Sequence, residues 1–445
     1  MADLLRDSAA QAVELARRAG ATAADALALD SADLNAGIRQ GVPETIERAE
    51  SRGVGLRVFV GQSSASLSSS ELTTEALQEL AEKAVAIARA APADPFAGLA
   101  DAAWLARDIA DLDLADPGEP AMDTLQARAR EAEEAGRSIA GIVNSEGADA
   151  GFSRSRIALV TSHGFSGSYA VTRHSISTSL IAGKGADMQR DYDYALVAHE
   201  ADLPVPARIG EEAARRTLDR LHPRKLSSQQ APVFFEPRVG RSLLAAFAGA
   251  ISGSAITRGT SFLKDRLHQP VFHPDITITD DPLRRRGLAS HPFDAEGVAV
   301  DRRALVEAGM LQSWLLDCRS ARQLGFESTG HASRGLAGAP HPSSSNLYIE
   351  PGAHSPQQLL QQFDRCFYVT ETIGHGTNLL TGDYSVGASG FWIEQGERAF
   401  PVSEVTIAGN LRDLFAGMIA ADDLTFRYAT NTPTLAIPAM TIAGN

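Results

Sequence analysis

Sixteen consecutive residues, Ser242 to Thr257, carry no charge, and Arg241 and Arg258 bracket them. The run is too short to cross a bilayer, which takes about 20 apolar residues. Leu244, Phe247, Ala248 and Ile251 recur at i, i+3, i+4 and i+7, which predicts the buried face of a helix. The run holds no His, Cys, Asp or Glu, so nothing in it can ligate zinc or act as a titratable catalyst.

The surrounding pattern divides the 445 residues in two. Residues 3–19 predict an amphipathic helix with Leu5, Ala9, Ala12, Val13 and Ala16 on one face, closed by Gly20. Residues 24–40 and 53–68 alternate apolar with polar and predict strands. A helix is expected over 75–91, with Thr74 as its cap and Pro92 as its stop, and another over 121–137. Between them, 92–120 reads as a surface connection. The stretch 141–200 turns to β, with a helix following over 209–221. Residues 222–232 are rich in Pro and Ser and mark a boundary.

The expectation is an α+β chain of two domains. Residues 1–225 form a mixed α/β unit with an antiparallel sheet and flanking helices, and 226–445 a β-rich, barrel-like unit. Strand pieces are expected in the second unit at 271–279, 296–300, 310–316, 367–373 and 390–394. The pentapeptide TIAGN occurs at 406–410 and again at 441–445. Each copy reads as a strand closed by a Gly-Asn turn with positive φ, the second as a terminal strand tied into a sheet.

A net charge of −14 argues against nucleic acid or an anionic membrane as the main partner. Cys318 and Cys366 make no CxxC and read as buried thiols of a reducing, cytoplasmic compartment. The first residues lack the apolar core of a signal peptide. No Gly-rich phosphate loop and no GxSxG elbow occurs. His199-Glu200 starts like HExxH, but Leu203 stands where the second His belongs, and the pair reads as surface. Asp280-Asp281 and Asp422-Asp423 read as turn residues, since neighbours on a strand point apart.

Two glycine-punctuated segments rich in Ser, Thr and Asp stand out. One runs from Thr260-Ser261 through Asp280-Asp281-Pro282 to 287–297. The other is 379–392, LLTGDYSVGASGFW. Asp383, Tyr384, Ser385, Ser389, Phe391, Trp392 and Ser261 are candidates for a groove that holds an extended peptide by strand addition. A tightly turned barrel wall would read the same way.

These segments resemble the TldD/PmbA family (peptidase U62-like), on its PmbA/TldE branch. The resemblance rests on Arg52-Gly-Val-Gly55, Asp94-Pro-Phe-Ala-Gly98, Asn144-Ser-Glu-Gly147, Met188-Gln-Arg-Asp-Tyr192, Gly249-Ala-Ile-Ser-Gly253, Ser290-His-Pro-Phe-Asp294, Ser320-Ala-Arg322, Ser328-Thr-Gly330, Gly382-Asp-Tyr-Ser385 and both TIAGN elements. It implies a cytoplasmic metalloprotease in which a TldD-like and a TldE-like subunit pair. The TldD-like subunit holds zinc through HExxxH on a helix and a Cys near its C-terminus. Substrates are unfolded or extended peptides, antitoxins among them, and the description "modulator of DNA gyrase" belongs to the same family. Here the zinc helix is degenerate at Ala245, Ala246, Phe247, Gly249 and Ala250, and no Cys follows Cys366. The resemblance therefore implies a chain without catalytic or metal residues and without a cofactor of its own, with zinc expected in the TldD-like partner. Two other readings stand beside it: a homodimeric peptide-binding scaffold, and a metal-free hydrolase built on Ser385 and His375.

Overall fold

The computed structural model describes residues 2–374 and 376–444. The N-terminal unit is built on one long antiparallel sheet of β1 (Ala23–Arg39), β2 (Val42–Val60), β3 (Ser63–Ser69), β4 (Ile142–Thr161), β5 (Ser166–Ala182) and β6 (Gln189–Val197), in the order β3-β2-β1-β4-β5-β6. The predicted strand over 53–68 is the hairpin of β2 and β3. The part of β2 missed by periodicity, 42–52, is charged and mostly exposed. Such charge guards an edge that β3 does not cover.

Even positions of β1 face the helices. Ala24, Ala26 and Ala28 pack with α1 (Ala2–Arg18) and α2 (Thr74–Ala90), while Leu34, Ala36 and Ile38 pack with α3 (Met122–Arg137). Helix α4 (Pro206–Asp219) lies beside α3. The cap of α2 is Thr73 rather than Thr74, its side chain accepting from the Ala76 N–H.

The C-terminal unit closes a five-stranded barrel. Strands β7 (Gln229–Phe235), β8 (Arg365–Ile373), β9 (Asp383–Glu394), β10 (Glu397–Asn410) and β11 (Leu435–Ala443) run β10-β9-β8-β7-β11, and β11 pairs back with β10. The closing seam is the repeated pentapeptide itself, with Thr406 opposite Ala443, Ile407 opposite Ile442 and Ala408 opposite Thr441. Closure removes the open edges of the sheet. The expected Gly-Asn turn does not form at the first copy. Asn410 has φ −112° and its side chain caps a short helix by accepting from the Arg412 N–H. Asn445 lies outside the described residues.

A second small sheet contains Ile278–Asp280, Arg303–Glu307, Met310–Leu311, Leu347–Ile349 and Thr430–Asn431. Residues 296–300 form no strand. The uncharged run begins inside α5 (Pro237–Ala250), bends at Ile251-Ser252 and continues as a short helix, Gly253–Thr257. Helix α5 packs against β8 and the Thr430–Asn431 strand. Leu244, Phe247 and Ile251 are buried as the period predicted, while Ala248 is half-buried.

The odd face of the N-terminal sheet receives the C-terminal unit. A Cβ at Gly55 would lie 1.8 Å from the Leu336 carbonyl oxygen, so only glycine admits that backbone. This accounts for Gly55 in the Arg52–Gly55 motif.

Candidate functional site

A cleft of about 510 Å³ opens along the outward face of α5, between β6 of the N-terminal unit, the Thr370–Thr372 end of β8 and residues 428–430. Pro237 opens the helix at its first turn, where a missing N–H costs nothing. Val239, Leu243, Leu244 and Phe247 turn into the core, which leaves Ser242 and Ala245 exposed along the cleft.

Guanidiniums and phenol rings dominate the walls. Arg238 donates to both oxygens of Asp191 (2.8 and 3.0 Å) and to Glu236 (2.9 Å), and lies 5.2 Å from the Tyr192 ring centroid. Burial alone would raise the Asp191 carboxyl, but Arg238, the Tyr192 N–H and Arg220 outweigh it and hold the group below the usual range. Arg241 sits 4.4 Å over the Tyr428 ring and donates to the Tyr194 hydroxyl at 3.3 Å. Strand β6 is the outer edge of its sheet. Its edge carbonyls are covered by side chains: Tyr192 O accepts from Arg238 (3.4 Å) and Tyr194 O from Arg427 (2.6 Å). Thr370 lines the cleft, and its Oγ1 is buried without a hydrogen-bond partner among the described residues.

The structure scatters the sequence-predicted groove residues. Strand β9 is paired with β10 along its length and with β8 over 387–394, and residues 376–378 bond to Asp383 and Ser385 where β8 has ended. Phe391 and Trp392 are buried in two different hydrophobic clusters. Ser389 is buried, whereas Asp383 and Ser385 are exposed. Ser261 is buried and closes the end of α5 by donating to the Ala250 carbonyl (2.6 Å). Tyr384 alone approaches the cleft: burial pushes its phenol up to about 12, with Ser242 beside it. Period-2 alternation cannot tell a paired wall strand from an open edge, because both bury one face. His375, invoked with Ser385 for a hydrolase, lies outside the described residues. His199 and Asp280 are corrected: both are buried, His199 bonding the Asp113 carbonyl (2.9 Å) and Asp280 accepting from Ser345 (2.8 Å).

Sequence reading missed a charged cluster between the two units. Asp25 on β1 stands directly opposite Arg57 on β2. Arg57 donates to Asp25 (2.9 Å) and to Glu296 (3.1 Å), and Arg334 reaches Asp25 at 2.5 Å. Arg57 takes a polar position of the alternating stretch 54–60, the pattern of a solvent-facing residue, so no local signal marked it as buried.

Asp294 lies close by, fully buried, its proton held up to about pH 7 by burial and by the Glu296 charge. The unfolded chain releases that proton near its ordinary value of 3.8. Between these values the folded state binds more protons, so this group weakens the fold as pH rises and adds no further change above about 7. Asp294→Asn lacks the effect. From pH 5 to pH 8 the variant should gain on the wild type by roughly 2 kcal/mol. Urea unfolding at both pH values checks this, and a constant difference would contradict it.

A helix-backed antiparallel sheet docked on a closed barrel, with a cleft at their junction, defines an α+β protein. Profiles of the PmbA/TldA metallopeptidase family match it as domain 1 over 24–88, the central domain over 115–221 and the C-terminal domain over 228–444. The Metalloprotease PmbA of Escherichia coli O157:H7 is 38% identical over 443 residues, covering 99% of this chain and 96% of the relative. The PmbA homolog of Haemophilus influenzae is 37% identical over 444 residues, with the same coverage. A crystal structure from Bacteroides thetaiotaomicron, described as a modulator of DNA gyrase, shares the fold with a TM-score of 0.91 at 26% identity, covering 99% of this chain and 98% of that one. TldE from Thermococcus kodakarensis shares the fold with a TM-score of 0.87 at 20% identity, covering 98% of this chain and 100% of its own. The chain belongs to the PmbA/TldD metallopeptidase family, on its PmbA/TldE side.

The donor chemistry of α5 does not fit zinc. Ala245 and Ala246 offer methyl groups, Gly249 has no side chain, and Phe247 and Ala250 are buried against the core. None supplies the N, O or S lone pair that zinc requires.

Proposed function

We propose that this chain is the subunit of a TldD/TldE-type metalloprotease that holds peptide while a TldD-like partner holds the zinc. The observation that carries the reading is α5, a helix that keeps its packing face and presents Ser242 and Ala245 to a cleft. The cleft presents the Ser242 hydroxyl and the Arg241 guanidinium, which can donate to a peptide carbonyl, beside the Tyr192 and Tyr428 rings. Among its described residues no Ser or Thr hydroxyl hydrogen-bonds to a His, Asp or Glu, and Ser242 donates to the Val239 carbonyl. Substrates are unfolded or extended peptides, proteolysis takes place in the heterodimer, and the compartment is the cytoplasm. Among the described residues no helix is long and apolar enough to cross a membrane.

The test uses the purified full chain on an unfolded peptide with added zinc. The chain alone should leave the peptide intact, and a TldD-like partner should bring chelator-sensitive cleavage. Robust cleavage by the chain alone would overturn the proposal. A chain that binds peptide as a homodimer and gains nothing from the partner would establish the scaffold reading instead.

A further inference from the structure

Two arginines line the α5 cleft, and only one of them is neutralised. Arg238 is matched by Asp191 (2.8 Å) and Glu236 (2.9 Å). Arg241 pairs with no carboxylate among the described residues; it touches the Tyr428 ring, the Arg238 carbonyl and the Tyr194 hydroxyl. The acids around the cleft are already taken. Asp191 also pairs with Arg220 (3.2 Å), and Glu371 pairs with Arg220 (2.5 Å) and lies 3.9 Å from Arg190. Asp193, further along β6, pairs with Arg427 (3.0 Å). Arg241 is therefore the surplus positive charge of this cleft.

Its hydrogen bonds leave one arm of the fork open. Nε donates to the Arg238 carbonyl (3.0 Å) and Nη1 to the Tyr194 hydroxyl (3.3 Å), while Nη2 has no partner among the described residues. Unlike the unpaired nitrogens of Arg334, Nη2 of Arg241 is not sealed from solvent. The residue is half-buried and lines the cleft. The Tyr194 hydroxyl adds a second donor, because its oxygen accepts from Arg241 and its own proton has no acceptor among the described residues. Two donors on neighbouring groups suit the two oxygens of a carboxylate. The Tyr428 ring backs the guanidinium, 4.4 Å from its centroid, and Tyr194 leans on the same ring at 5.4 Å. One surplus guanidinium matches an anion of single charge. A phosphate dianion would bring a second negative charge beside Asp191 and Glu371.

We propose that Arg241, together with the Tyr194 hydroxyl, holds a carboxylate of the peptide bound in the α5 cleft. The proposal rests on the cleft's holding peptide and adds a preference to it. A chain terminus and an acidic side chain share this chemistry.

Titration calorimetry at pH 7 on the full chain tests it with three acetylated hexapeptides built from Ser, Ala and Tyr. One has a free C-terminal carboxylate, one is amidated, and one is amidated and carries a central Glu. At least one of the two carboxylate peptides should bind roughly tenfold more tightly than the uncharged amide, the step expected for one hydrogen-bonded charge. Arg241→Gln should erase that difference. Because Arg241 also stacks on Tyr428, a second variant is needed. Tyr194→Phe keeps the ring and the guanidinium and should narrow the difference, with thermal melting to show that both variants fold. Preference for the free terminus alone assigns a chain end, preference for the Glu peptide alone an acidic side chain, and preference for both a site that reads any carboxylate. Equal binding of all three peptides, or a preference untouched by both variants, would overturn the proposal and leave peptide holding in place. Binding of none of the three at millimolar concentration would overturn peptide holding by this cleft, and the proposal with it.

Discussion

Replacing Asp25 with alanine should lower the unfolding free energy by about 3–5 kcal/mol, the cost of stranding a buried charge. Asp25 is fully buried and is the carboxylate on which two guanidiniums from different parts of the chain converge. Burial alone would raise its pKa, but Arg334 and Arg57 outweigh that and hold it below the usual carboxylate range. When Asp25 is lost, Arg57 keeps Glu296, but Arg334 loses its hydrogen bond to Asp25, and its other two nitrogens are buried without a partner among the described residues. The damage should fall on the contact between the two units. Urea unfolding measures the total, and hydrogen exchange in 331–336 locates it. Asp25→Ala/Arg334→Leu removes the stranded charge and should recover at least ~1 kcal/mol relative to Asp25→Ala alone. Strict additivity of the two single variants would show that the pair does not hold the units together.

Phe247→Ala should cost about 3–5 kcal/mol, the range for truncating a buried phenylalanine. Phe247 is fully buried and sits edge-on to Phe272 at 5.1 Å and 84°, and to Phe415 at 6.2 Å and 86°. Phe272 and Phe415 stack at 4.5 Å. Truncation leaves a cavity on the core side of α5 and removes both edge-to-face contacts. Ala245→Ser, on the exposed side of the same helix, should change stability by less than about 0.5 kcal/mol. Thermal unfolding of the two variants side by side checks the contrast. Near-equal effects would mean that α5 is not held by its packing face.

Local signals reached far into the N-terminal unit. The helices near 3–19, 75–91 and 121–137 formed close to their expected bounds, because spacing, caps and stops all act within a few residues. The β-rich run 141–200 resolved into β4, β5 and β6, and the pentapeptide repeat into two strands. The short strands of the second unit were harder to read. Residues 296–300 have an apolar pattern but no strand partner, and Val298 makes only an isolated bridge to Leu105. A strand exists through its neighbour, which the sequence does not name.

The candidate site divides along the same line. That α5 carries no His, Cys, Asp or Glu is a matter of residue identity, and the sequence alone determined it. It determined the helix's buried face as well, since period 3.6 follows from backbone geometry. Only the tertiary structure decided what faces the helix: the β6 edge, the arginines covering its carbonyls, and the tyrosines at 192, 194 and 428. It also decided that the glycine-rich 383–392 strand is an inner wall rather than an edge, and that Asp25, Arg57, Glu296 and Arg334 meet. The physical reason is reach. Asp25 and Arg334 are separated by 309 positions along the chain, and no local rule joins groups that become neighbours only when two domains dock.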